Sequence, residues 1–244
     1  MALRLEAGGW QRRGETVFRL PGSSGLGVTI PCVVLLGGSF DPVHQGHVAL
    51  AQHFCALLAP DQLRIIPAGQ PWQKDGLQAS AQDRVAMLRC AFDTSSSALA
   101  IDQQEIQRHT ATYTIDTLQA IRAELGPQTS MVFLIGADQL QHLDSWRHWR
   151  QLFDYAHICA ASRPGFALDS AELPAAVAHE FAQRAAPADR IRNTACGSTY
   201  LAADLAVDVS ATAIRAALRH GDKPAALVPS RVLDYIESHH LYQN

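Results

Sequence analysis

Several familiar devices are missing from this 244-residue sequence. No apolar run approaches the ~18 residues that a membrane-spanning helix needs, so no membrane partner is expected. The five cysteines (Cys32, Cys55, Cys90, Cys159 and Cys196) are odd in number, widely spaced and form no CxxC pair. They indicate neither a zinc site nor a disulfide framework; free thiols in a reducing cytoplasm are the expectation. An excess of basic charge is missing as well. The 20 Lys and Arg against 23 Asp and Glu give a net charge of −3, which does not suit a general nucleic-acid or membrane-surface binder. There is no GxGxxG with a ribose-binding acid after it, which argues against a NAD-dependent dehydrogenase. There is no Walker Gly-Lys-Ser/Thr. No Ser-His-Asp or Cys-His constellation presents itself. The acidic residues are scattered, so no protein-built Mg²⁺ cage is evident.

What is present is an ordinary globular composition, 48% hydrophobic and 18% charged, long enough for a sizeable core. From Cys32 onward, short apolar runs alternate with helical patterns. Strands are expected at Cys32–Leu36, Leu63–Pro67, Met131–Ile135 and His157–Ala161, with shorter candidates at Tyr200–Ala202 and Leu205–Val209. Helices are expected after His47, around 80–93, over 112–125 (closed by Gly126-Pro127), over Ala171–Arg184, and near 210–219 and 229–239. Strands separated by helices imply right-handed βαβ units. The fold class is therefore α/β, a Rossmann-like doubly wound parallel sheet with helices on both faces. Residues 32–244 read as a single domain. Residues 1–31 read as an extension that is expected to be flexible, with no apolar h-region or cleavage site of a secretory signal. A small extra strand over Glu15–Leu20 and translation from an upstream start stay open as alternatives for that extension.

The stretch that organises the chain is Gly37-Gly38-Ser39-Phe40-Asp41-Pro42-Val43-His44-Gln45-Gly46-His47. A strand buried on both faces enters it and an amphipathic helix leaves it, with Leu50, Phe54, Leu57 and Leu58 at helical spacing. Gly37 and Gly38 let the backbone approach a ligand with no Cβ in the way. A helix start offers N–H groups and the positive end of its dipole to an anion. His44 and His47, three apart, can face the same oxygens. Together these features suggest a cradle for a triphosphate. Such a site belongs at the carboxyl ends of the strands, at the switch point of the sheet.

A second stretch, Asp208-Val209-Ser210-Ala211-Thr212-Ala213-Ile214-Arg215, places a good N-cap at Ser210, 163 residues after His47. Arg215, in the first helical turn, could present its planar fork to phosphate oxygens. The two stretches in this order resemble the paired HxGH and SxTxIR signatures of the HxGH nucleotidylyltransferases. The segments between them resemble the bacterial nicotinate-nucleotide adenylyltransferases in particular. These are Pro67–Lys74, a proline-containing loop ending in lysine; Thr112–Leu118; Gly136–Leu140 followed by Trp146; and Ser162-Arg163-Pro164-Gly165. The loop departs from the family pattern, with Gln-Pro-Trp-Gln in place of Pro-Pro-His. The resemblance spans about residues 32–242.

The resemblance implies adenylyl transfer from ATP to the phosphate of nicotinate mononucleotide in NAD biosynthesis, in the cytoplasm. Its products are nicotinate adenine dinucleotide and pyrophosphate. It assigns catalytic roles to His44, His47, Lys74 and Arg215. It places ATP at Gly37, Gly38, Ser39, Phe40 and the two histidines, and further along at Arg163, Ser210, Thr212, Ile214 and Arg215. It places the acceptor at Lys74, Tyr113, Thr114, Asp138 and Trp146. Mg²⁺ would come with the ATP phosphates and not with a dedicated protein site. Neither nucleic acid nor membrane is an expected partner, and a homo-oligomer is an open option. Two rival readings remain: adenylyl transfer to nicotinamide mononucleotide or phosphopantetheine, and a non-catalytic nucleotide-binding protein. Without the family, Trp146 and Trp149 would read as core or surface aromatics. His142, His148, His239 and His240 read as surface.

Overall fold

The structure is a computed structural model. It describes residues 30–69, 76–95, 97–108, 110–161, 173–202, 205 and 209–243. Its centre is a six-stranded sheet, all parallel, in the order β3-β2-β1-β4-β5-β6. The strands are β1 (Cys32–Gly38), β2 (Gln62–Pro67), β3 (Leu99–Ile101), β4 (Ser130–Gly136), β5 (His157–Ala161) and β6 (Thr199–Ala202). The helices are α1 (Gln45–Leu58), α2 (Ala81–Ala91), α3 (Thr114–Leu125), α4 (Ala137–Leu140), α5 (Ala175–Gln183), α6 (Ala188–Asn193), α7 (Ala211–Arg219) and α8 (Ser230–Ser238). Two short 3₁₀ segments, Leu143–Ser145 and Trp149–Asp154, lie between α4 and β5.

Side chains of β1 alternate between two cores, as the period of a strand requires. Val34 and Leu36 pack with Phe54 of α1, Leu88 of α2 and Ile236 of α8. Val33 and Leu35 pack with Leu118 of α3, Phe133 of β4 and Phe153. The sheet is thus covered on both faces, which is why its strands read as unbroken apolar runs. The strand order reverses between β1 and β4, so the carboxyl ends of these two strands open the crevice where α/β sheets bind ligands.

Apart from the strand expected over Leu205–Val209, the expected strands and helices that fall on described residues are found, with boundaries shifted by a few positions. Ala171–Arg184 begins as helix only at Ala175, after Pro174. β3, α4, α6 and the 3₁₀ segments were not expected: runs of three to six residues carry too few turns to show a period. Leu205 and Val209, the described ends of one expected strand, lie outside any strand. The expected strand over Glu15–Leu20 lies outside the described residues.

The amino-terminal end of the sheet, opposite the crevice, is held by polar side chains. Arg122, in the last turn of α3, donates to the carbonyls of Tyr155 (2.6 Å), Gly126 (2.9 Å), Thr129 (2.7 Å) and Ala195 (2.9 Å). These four carbonyls belong to loops around β4 and β5, so one guanidinium ties their ends together. His157, at the start of β5, is fully buried. Its Nε2 lies 2.7 Å from the Thr194 carbonyl, and its Nδ1 accepts from the Ser198 N–H at 3.0 Å. A ring that donates at Nε2 and accepts at Nδ1 is neutral.

Burial holds the pKa of His157 below its ordinary value of 6.5. On acidification the unfolded chain therefore takes up this proton first. The contribution of the neutral ring to stability is complete above about pH 6.5 and is lost as pH falls toward its folded value. In chemical denaturation between about pH 7 and pH 5, the unfolding free energy should fall on the acid side. A His157→Gln variant should show a flatter slope over the same window. An unchanged slope in that variant would show that His157 is not the responsible group.

Candidate active site

The first signature folds as the sequence suggested. β1 ends at Gly38, α1 begins at Gln45, and His44 is its N-cap in extended backbone. The His44 and His47 rings stack, with centroids 3.7 Å apart and planes 27° apart. The backbone N–H of His44 donates to Nδ1 of His47 at 3.2 Å, so the proton of a neutral His47 ring sits on Nε2. Phe40 lies against His47, with centroids 4.7 Å apart. The helix start is partly committed already: the Gln45 N–H donates to the Leu227 carbonyl at 2.8 Å.

The spacing of His-x-Gly-His has a steric cause. A Cβ on Gly46 would stand 3.0 Å from Nδ1 and 3.1 Å from Cε1 of His44. Any larger residue there would make the His44 ring give way from the place where it stacks on His47.

The second signature reaches the first across 174 residues of sequence. Ser210 caps α7, its Oγ accepting from the Ala213 N–H at 3.4 Å. Arg215 donates from Nη1 to the Asp41 carbonyl at 2.7 Å and from Nη2 to Thr212 Oγ1 at 3.3 Å. Ile214 is buried in the core beside α1, so its side chain anchors α7 and only its main chain could touch a nucleotide. Phe40 is likewise fully buried, with its backbone in the left-handed region at φ 49°.

Trp146, expected at the acceptor, follows the first 3₁₀ segment and is half-buried. Its indole meets the edge of Phe133, with centroids 6.3 Å apart. Phe133 in turn lies under Gly37, where an added Cβ would stand 3.1 Å from the ring. That relay sets Trp146 beside the carboxyl end of β1. Among the described residues its Nε1 has no hydrogen-bond partner. Trp149, by contrast, is core. Tyr113 is the N-cap of α3 and Thr114 its first residue. Asp138 lies in the first turn of α4, directly after β4, and accepts from Gln139 Nε2 at 3.0 Å. Lys74 and Arg163 lie outside the described residues.

The sequence reading missed several residues at this site. Arg147 lies over the Tyr113 ring, its Cζ 4.8 Å from the centroid. Arg84 of α2 is 1% exposed and donates to the Ser39 carbonyl at 2.8 Å. The carboxylate of Asp41 is buried under the loop that it belongs to. Arg84 was detectable, since Arg84, Leu88 and Ala91 share the buried face of α2. Burial pushes its pKa down and the Asp41 charge opposes this.

Gly46→Ala should displace the His44 ring and lower kcat by at least about tenfold, with melting temperature little changed. Steady-state kinetics together with calorimetry would check this. Wild-type kcat in that variant would mean that the stacked histidine pair is not needed.

The comparisons with known proteins agree with this geometry. Residues 35–217 match the family described as cytidylyltransferase-like. A protein of Herminiimonas arsenicoxydans, named as a probable nicotinate-nucleotide adenylyltransferase, is 65% identical over 213 residues, covering 87% of this chain and 97% of that protein. One of the same name from Laribacter hongkongensis is 44% identical over 218 residues, covering 86% and 94%. Among solved structures, the Plasmodium falciparum nicotinic acid mononucleotide adenylyltransferase complexed with NaAD superposes with a TM-score of 0.64 at 18% identity, covering 87% and 97%. That likeness speaks for the fold alone. With both signatures meeting at one crevice and relatives matched along most of their length, the chain belongs to the cytidylyltransferase-like family, among the nicotinate-nucleotide adenylyltransferases.

Proposed function

We propose that this enzyme transfers an adenylyl group from ATP to the phosphate of nicotinate mononucleotide, giving nicotinate adenine dinucleotide and pyrophosphate. The observation that carries the reading is the 2.7 Å hydrogen bond from Arg215 to the Asp41 carbonyl, which joins the two signatures into one cradle. The acceptor phosphate attacks the α-phosphorus in line and pyrophosphate leaves. A phosphate monoester is already an anion near neutral pH, so little is asked of a general base. Catalysis is then mostly positioning and neutralisation of the charge that grows on the leaving group. His44 and His47 sit where that charge would develop, and Arg215 with Ser210 and Thr212 closes the other side. Lys74 is assigned a third triphosphate contact and Arg163 a contact with the nucleotide.

ATP would enter as its magnesium complex, the ion's charge travelling with the phosphates. Among the described residues no group of three His, Cys, Asp or Glu could hold a metal ion. The Asp41 carboxylate accepts from Tyr242 and from two backbone N–H groups. No helix among the described residues is long and apolar enough to cross a membrane. We assign the enzyme to the cytoplasm, and residues 32–244 to one catalytic domain preceded by an extension.

The pyridine ring is assigned to Trp146, whose indole stacking is worth roughly 1–3 kcal/mol on a base-like ring. The ring's carboxylate is assigned to the backbone N–H groups at the start of α3, near Tyr113 and Thr114, where the helix dipole favours an anion. An amide there would face donors with its own NH₂, so the acid should be preferred over nicotinamide mononucleotide. Asp138, at the end of β4, is placed against the same acceptor.

Pyrophosphate release from ATP should be fast with nicotinate mononucleotide and slow with nicotinamide mononucleotide or phosphopantetheine. Trp146→Ala should raise the KM for the acid mononucleotide about tenfold or more and leave that for ATP nearly unchanged. Equal turnover of acid and amide, or a defect confined to ATP, would overturn the assignment of the acceptor site.

A further inference from the structure

Tyr242 lies near the end of the chain, yet it is buried in the core beside α1. Its hydroxyl donates to Oδ1 of Asp41 at 2.6 Å, across 201 residues of sequence. Asp41 Oδ2 accepts from the Gln78 N–H at 2.8 Å, and Oδ1 also accepts from the Ala79 N–H at 3.1 Å. Three donors from two distant segments thus converge on one carboxylate in the loop between β1 and α1. The carbonyls of the same loop are held by Arg84 at Ser39 and by Arg215 at Asp41.

Resting on the adenylyl-transfer reading, we propose that Tyr242 is a positioning residue for the phosphate cradle. Its hydroxyl fixes the carboxylate of Asp41, and through that loop it sets the places of Phe40, His47 and Arg215. Two features of the backbone point the same way. Phe40 and Tyr242 both adopt the left-handed region, at φ 49° and 61°. Bulky residues rarely do so unless their surroundings hold them there. Both are buried and both adjoin Asp41, one by chain connection and one by hydrogen bond. From Phe40 the path continues to His47 by ring contact at 4.7 Å, and from the Asp41 carbonyl to Arg215 at 2.7 Å.

Charge gives the hydroxyl a second reason to be there. Two guanidiniums, Arg84 and Arg215, flank Ser39–Asp41, and the Asp41 carboxylate is the anion between them. Burial and the hydrogen bond to Asp41 push the Tyr242 phenol well above its ordinary pKa, so it remains a neutral donor. A neutral donor secures the carboxylate without cancelling its charge.

Tyr242→Phe removes the hydroxyl and keeps the ring. Pyrophosphate release is measured for wild type and variant well below their melting temperatures, with kcat normalised to the folded fraction read by circular dichroism. The expected result is a kcat about tenfold lower per folded molecule, with KM for both substrates within about twofold. A loss that tracks the folded fraction, including complete failure to fold, would make Tyr242 a fold element only and overturn the proposal. So would an unchanged kcat. If the wild type itself releases no pyrophosphate with the acid mononucleotide, the adenylyl-transfer reading fails and the inference with it. An active wild type matched by Tyr242→Phe sinks the inference alone.

Discussion

The contact on which the active end of this protein depends is made by the Asp41 main chain, whose carbonyl accepts from Arg215 at 2.7 Å. α1 and α7 lie far apart in the sequence, and each carries one of the two signatures. Separately they are ordinary capped helices. The hydrogen bond brings the Ser210–Arg215 turn against the loop that carries the histidines. The same loop can take the strain of a left-handed Phe40 because a buried carboxylate and a buried guanidinium hold it from beneath.

The two ends of the sheet divide the work. At the amino-terminal end, Arg122 and the neutral His157 satisfy carbonyls of loops that would otherwise be buried with unmet partners. At the carboxyl end of β1 and β4 lie the glycines, the stacked imidazoles and the half-buried indole to which we assign the polyanion and the flat ring. Such a layout suits a reaction in which the protein aligns two phosphorylated molecules and steadies a departing pyrophosphate, with no covalent intermediate.

Much of this was legible in the sequence. The central strands are buried on both faces and so spell themselves as apolar runs, as in Val33–Leu36 and Met131–Ile135. The two signatures were legible because anion chemistry at a helix start needs particular residues at particular spacings: His44, Gly46 and His47 in one, Ser210 and Arg215 in the other. Trp146 and Trp149 could not be told apart by spacing, since what separates them is a neighbour, Phe133, from another strand. The node at Asp41 was harder still. Tyr242 and Gln78 meet there from two distant segments, and no local period marks a partner 201 residues away. Arg84 alone left a trace, as a charge on the apolar stripe of its helix.

The central claim is that the stacked histidines act on charge that appears at the leaving pyrophosphate, more than on ATP at rest. His47→Ala separates the two most directly, with turnover measured beside ATP affinity by calorimetry. Removal of one such donor should lower kcat by on the order of 10²–10³ while ATP affinity changes only a few-fold. A folded His47→Ala variant with wild-type kcat, or one whose loss is accounted for by weakened ATP binding, would contradict the account.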